Sequence, residues 1–286
     1  MATQIKASGL DAQELATRLL QRTRSADPDR GLWEAADVQW WWRRPSASDD
    51  VEQPFWLDDD GPVAGILLTG DRTGCQVDPI VVPGAFDLDT TFAAALEAGR
   101  RYSPGGFDIP VGDDDTALLP LARGAGLTAG YTDSTAWLHT RDVGAVRPVA
   151  DGFVLVDRTQ RADAAHPMRK RNGERVAERL EQCSLYDPEL DLWVESADGR
   201  SAGFALFWAD PVTRVGLVEP VRVEDEFQRR GLASALVSEG VARLAARGME
   251  RVKVSFGSDI AGATYQGVGF RPVSTTTWYG EKAATD

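Results

Sequence analysis

Short apolar stretches alternate with polar positions along the second half of the chain, and one long helical period interrupts them. Residues 152–156, 191–195, 201–208, 215–223 and 251–256 read as strands. Turn residues such as Asp198-Gly199 and Asp210-Pro211 bound them. From Leu232 the period changes: Ala233, Leu236, Val237, Gly240, Val241 and Leu244 recur at helical spacing, and Gly248 stands where a helix should stop. A polar, helix-rich region is expected over 164–185, a short helix over 261–266, and a final pair of strands at 269–270 and 273–279.

The first half repeats this order more faintly. Helices are expected over 12–22, 32–44, 90–101 and 113–125, and strands over 63–68, 76–82, 107–111 and through 137–140. The segment Leu121-Ala-Arg-Gly-Ala-Gly-Leu127 parallels Thr264-Tyr-Gln-Gly-Val-Gly-Phe270: a helix end, glycine, a small or apolar residue, glycine, then a strand. Two copies of one α+β unit are the economical reading, with domains at 1–145 and 146–286. The expected join lies within 142–150, which carries Gly144 and Pro148.

Composition narrows the function. A length of 286 residues suits two domains. The net charge of −13 argues against nucleic acid, whose phosphates call for a basic field. Cys75 and Cys183 form no disulfide framework, and with only His139 and His166 a metal site is not expected. No apolar run reaches membrane-spanning length and the N-terminus lacks a secretory pattern, so a soluble, reduced, cytoplasmic protein is expected. Residues 1–146 hold 12 Lys and Arg against 23 Asp and Glu, whereas residues 147–286 hold 19 against 21. The acidic half biases its surface toward cationic small molecules, or simply keeps the chain soluble.

The candidate chemistry gathers between Val215 and Phe270. An alternating strand runs through Val221, Arg222 and Val223 into a charged loop, then Gln228-Arg229-Arg230-Gly231-Leu232-Ala233-Ser234 opens a helix. Such a junction aims free backbone N–H groups and the positive end of a helix at one spot, which suits phosphate. Gly231 lets the backbone approach, Ala233 keeps the helix start uncrowded, and the two arginines neutralise charge. The bland alternative is a surface helix start with a basic pair.

Strand alternation puts Glu219 on one face with Val215, Leu217, Val221 and Val223, where a partly desolvated carboxylate suits a general base. If the strand slips at Pro220, Glu219 faces water instead. Trp40-Trp41-Trp42 either docks its helix or stacks on an acceptor. The two histidines have no partner at readable spacing.

The stretch 221–270 resembles the GNAT superfamily of acyl-CoA-dependent N-acyltransferases. Gln228-Arg-Arg-Gly231-Leu-Ala233 is similar to the family's pyrophosphate motif. Ser258, Ala261, Tyr265 and Gly269-Phe270 follow its later pattern, with Ser258 replacing the usual Asn. The resemblance implies tandem units, each a mixed, mostly antiparallel sheet flanked by helices, and acetyl-CoA as cofactor. It implies that the amides of residues 229–234 hold the pyrophosphate and that Val221 and Val223 pair with the pantetheine arm. Glu219 then acts as base toward an amine and Tyr265 as general acid; alternatively, Tyr265 packs beside Phe270.

The matching place in the first half reads Val82-Pro-Gly-Ala-Phe-Asp-Leu-Asp-Thr90. It has Gly84 but also Asp87 and Asp89, which would repel a diphosphate. That half is expected not to bind coenzyme A. The acceptor is a small-molecule amine or a protein; a non-catalytic acyl-CoA-binding scaffold is the rival reading.

Overall fold

The computed structural model describes residues 2–282. The chain divides into two compact units, one running to Asp133 and taking in the segment from Ser274, the other comprising Ser134–Val273. Each is an α+β arrangement of a mixed, mostly antiparallel sheet flanked by helices.

In the first unit the order is β1 (Thr3–Ala7), α1 (Gly9–Ala26), α2 (Ala35–Trp41), β2 (Gln53–Asp58), β3 (Gly61–Asp71), β4 (Gly74–Val81), α3 (Leu88–Tyr102), β5 (Gly106–Gly112) and α4 (Leu118–Gly124). Strands β1 to β4 pair antiparallel in sequence order. β4 then runs parallel to β5, with Cys75 and Gln76 opposite Phe107 and Asp108. Helix α3 forms where Phe92, Ala95 and Ala98 recur on one face, and that face buries against Ile66, Val77, Phe107 and Ile109.

The second unit begins inside β6 (Thr128–His139) and continues through β7 (Phe153–Asp157), α5 (Arg169–Asn172), α6 (Val176–Glu181), β8 (Asp191–Ser196), β9 (Ser201–Asp210), β10 (Val215–Val223), α7 (Leu232–Ala246), β11 (Arg251–Phe256) and α8 (Asp259–Val268). The strand order is β7-β8-β9-β10-β11-β6, antiparallel except for the parallel pair β10 and β11. Leu236, Val237, Val241 and Leu244 of α7 are fully buried against the sheet. Gly240 is the point of closest approach, where a Cβ would overlap the Phe207 ring.

The chain leaves this unit inside β12 (Arg271–Lys282). From Thr276 onward β12 pairs antiparallel with β5 of the first unit. The residues 134–139 of β6 pair antiparallel with β11. Each half of the sequence therefore lends its last strand to the other unit, and the chain passes between the compact units at Asp133/Ser134 and again at Val273/Ser274. Of the strands expected at 269–270 and 273–279, the second lies within β12, which begins at Arg271, while Gly269 caps the end of α8.

Other expectations change in detail. The helix expected at 32–44 shortens to Ala35–Trp41, and that at 113–125 begins at Leu118. Strands β1 and β2 carry too little alternation to stand out. In the tryptophan run, Trp40 is 7% exposed with the Arg43 guanidinium over its ring, and Trp41 meets Trp33 edge to face at 5.1 Å. No described helix is long and apolar enough to cross a membrane.

Candidate active site

Strands β10 and β11 run side by side at Val215–Leu217 opposite Arg251–Lys253, and β10 then turns away. The cause lies in β10. Against β9, Val218 faces Phe207 but Val221 faces Ala205, so one extra residue has entered the strand. This bulge reverses which face later residues point to. The unbroken face carrying Val215, Leu217, Glu219, Val221 and Val223 does not exist; the strand slips at Pro220, and Glu219 sits half-buried at the bulge. Beyond it, Glu224 donates its N–H to Ala202 O at 2.9 Å. Alternation along the ladder therefore turns the main-chain groups of Val221 and Val223 toward the side β11 has vacated.

A groove of about 530 Å3 occupies that opening. Val221, Arg222 and Val223 form one wall, the loop and helix start from Phe227 to Ser234 a second, and α8 the third. Helix α7 starts without a capping side chain: Gly231 is its N-cap, in the left-handed region at φ 77°. Arg229 is also left-handed, at φ 60°. The first amide of this stretch with a backbone acceptor is that of Ala235, which donates to Gly231 O at 3.0 Å. The amides from Arg229 to Ser234 have no acceptor among the described residues, so a run of N–H groups and a helix N-terminus open together onto the groove. A Cβ at Gly231 meets nothing within 4 Å.

Tyr265, 7% exposed, also lines the groove. Its ring lies 5.7 Å from Phe256 and 5.9 Å from Phe270, so packing and access to the groove coexist. Burial, and then the charge of Glu219, push its phenol above the ordinary value. At neutral pH the hydroxyl is therefore protonated and able to donate.

Residues 159–270 match the Acetyltransferase (GNAT) family. A mycothiol acetyltransferase from Tsukamurella paurometabola is 38% identical over 284 residues, covering 86% of this chain and 93% of its own length. The chain belongs to the GNAT acetyltransferase family. Mycothiol acetyltransferases from Beutenbergia cavernae and Clavibacter michiganensis are 32% and 34% identical, over 64% and 46% of this chain. The chain spans 56% and 42% of their lengths, about half. Among solved structures, a tandem GNAT protein from the clavulanic acid biosynthesis pathway covers 100% of both chains at TM-score 0.72 and 14% identity, a likeness of fold.

In this GNAT chain the sequence motif residues divide by what they touch. Ser258 caps α8, its Oγ accepting from Ala261 N–H at 3.3 Å, and both residues line the groove. Gln228 lines it too, but its amide is spent on Val223 O at 3.3 Å and Asp225 Oδ1 at 3.0 Å, which holds the loop in shape. Arg222 pairs with Asp225 at 2.6 Å while its buried Nε has no partner. Arg230 stacks over Phe153 and Phe227, outside the groove lining. Glu219 is likewise outside that lining.

Sequence reasoning missed Phe227, Ile260 and Thr264, which line the groove. In the sequence Phe227 stands out as the lone apolar residue after Glu224, Asp225 and Glu226. Positions 260 and 264 share a helix face with 261 and 265. Reasoning also missed what supports Glu219. Fully buried Trp208 donates its indole N–H to Glu219 O at 2.9 Å and so fixes the bulge. Tyr186 packs on Trp208 at 6.4 Å and donates to Asp191 Oδ2 at 2.7 Å, and His166 Nε2 meets the same oxygen at 2.7 Å. His166 Nδ1 accepts from Met168 N–H at 3.1 Å, which leaves the proton on Nε2.

The first GNAT unit shows the contrast. Its α3 stands where α7 stands, but Asp87 caps it, accepting from Thr90 N–H at 2.8 Å. A protein carboxylate fills the place an anion would take. The order Val77-Asp78-Pro79-Ile80 on β4 also matches Val218-Glu219-Pro220-Val221 on β10, and both strands stand fourth in their sheets. Asp78 is thus the first unit's counterpart of Glu219.

Proposed function

We propose that the second unit transfers an acetyl group from acetyl-CoA directly to the amine of a small molecule. The observation that carries this reading is the run of amides from Arg229 to Ser234, without acceptors among the described residues, at the uncapped start of α7 beside a groove that Tyr265 also lines. These residues fit a diphosphate: the amides and helix terminus supply donors and positive potential, and the space at Gly231 is open.

The main-chain groups of Val221 and Val223 are turned to pair with the amide-bearing arm of the cofactor. When bound, acetyl-CoA supplies an activated thioester. Glu219 would take a proton from the amine, and Tyr265 Oη would hold a proton for the sulfur that leaves as the acetyl group passes to the amine nitrogen. Relatives named mycothiol acetyltransferases favour a small-molecule acceptor over a protein one. The first unit, with Asp87 plugging its helix, is assigned no acetyl-CoA site.

The test is calorimetry of acetyl-CoA with Gly231→Leu. A side chain there costs about 1–2 kcal/mol of left-handed strain, which a folded chain can absorb, but it projects beside the open amides. Affinity should fall by more than tenfold (about 1.4 kcal/mol) with a cooperative melt retained. Unchanged affinity would refute the phosphate assignment.

A further inference from the structure

The first unit holds a cavity of about 260 Å3 that the acetyl-transfer reading leaves unused. Trp33, Asp78, Phe86 and Leu118 are among its lining residues, and all belong to this unit. Asp78 is 2% exposed. Trp33 Nε1 donates to its Oδ1 at 2.7 Å, and Gln76 Nε2 donates to its Oδ2 at 2.9 Å and reaches Oδ1 at 3.2 Å. These are neutral donors, and among the described residues no Arg, Lys or His forms an ion pair with Asp78.

We propose that this cavity is a second ligand site, which takes a small organic ammonium ion with Asp78 as its counter-ion. A carboxylate accepts about four hydrogen bonds, so Asp78 has acceptor capacity left for an N–H. A buried carboxylate lacking a cation is costly, and an ammonium beside it recovers that cost through Coulomb attraction at low dielectric. Trp33 and Phe86 offer aromatic faces to the cation or its apolar body.

The other charged groups nearby do not compete for the role. Asp37 is also negative, and its field acts in the same sense as burial on Asp78. Arg30 pairs with Asp27 at 3.7 Å, and Asp115 accepts from the N–H groups of Ala117 at 3.0 Å and Leu118 at 2.8 Å. The excess of acid over base in residues 1–146 draws cations toward the unit. This site stands whether or not the second unit transfers acetyl groups.

The probe is n-butylammonium, with 1-butanol as its neutral isostere, titrated into the full chain labelled with 15N at tryptophan. Trp33→Phe identifies the Trp33 indole resonance, which reports on Asp78 directly through its 2.7 Å bond. Butylammonium should shift that resonance saturably, with 1-butanol roughly tenfold weaker or inactive. Asp78→Asn should weaken ammonium binding by about tenfold or more while retaining a cooperative melt. Because that variant alters the reporter's own partner, its affinity is read by calorimetry. Equal response to the alcohol, no saturable Trp33 shift, or undiminished calorimetric affinity in Asp78→Asn would each overturn the proposal.

Discussion

Replacing Asp78 by Asn should remove a pH dependence from the stability of the first unit. Burial raises the Asp78 carboxyl from an ordinary 3.8 to about 7, against the opposing hydrogen bonds from Gln76 and Trp33, and the charge of Asp37 adds to the rise. Below the ordinary value both the folded and the unfolded chain hold the proton, and burial carries no ionic cost. As pH climbs from about 4 to about 7 the unfolded chain releases the proton while the folded chain keeps it, so stability falls. Above about 7 both forms are ionised and the full cost stands. At about 1.4 kcal/mol for each tenfold change in proton affinity, the loss amounts to about 4 kcal/mol. Urea melts of both chains, followed by circular dichroism at several pH values across this window, measure it as a difference. All other titrating groups are shared and cancel. Asn also changes the bonds to Trp33 and Gln76, which offsets the curves by a constant and leaves the slope alone. Two parallel profiles would refute the reasoning.

Tyr265→Phe should lower turnover with acetyl-CoA by roughly 10²-fold or more, the range of a general acid, while leaving calorimetric cofactor affinity nearly intact. Equal loss of both would contradict the proton-donor role. Trp208→Phe removes the bond to Glu219 O, worth about 1 kcal/mol. It should reduce turnover more than acetyl-CoA affinity, and unchanged turnover would mean the bulge needs no such support. Gly240→Ala should destabilise the second unit by about 1–3 kcal/mol, because the added Cβ overlaps Phe207. Helix propensity alone gives the opposite sign, so a rise in the denaturation midpoint would show that the Phe207 ring yields.

What could be read along the chain was local. The helix after Gly231 followed from apolar spacing, and the strand-to-helix junction before it followed from a strand, a glycine and a helix start in order. These depend on contacts a few residues apart, which residue type alone controls. Asp87 was read only as a charge that would repel a diphosphate; its capping bond to Thr90 N–H came from the fold.

The tertiary structure decided what distant residues do to one another. Alternation marks strands through 137–140 and over 273–279 but not their partners, and hydrogen bonding across the ladder sends 134–139 and 276–282 each to the other half's unit. Pro220 marks a place where β10 can slip, but whether it does so is decided by the pairing with β9. His166 and Trp208 gained their places because folding brings Asp191 and Glu219 beside them, 25 and 11 residues away along the chain. Sequence determined which segments could form elements, because that choice is made over one or two turns. Register, exchange of strands and the burial of Asp78 were left to packing, because their energies arise between residues that meet only in the folded chain.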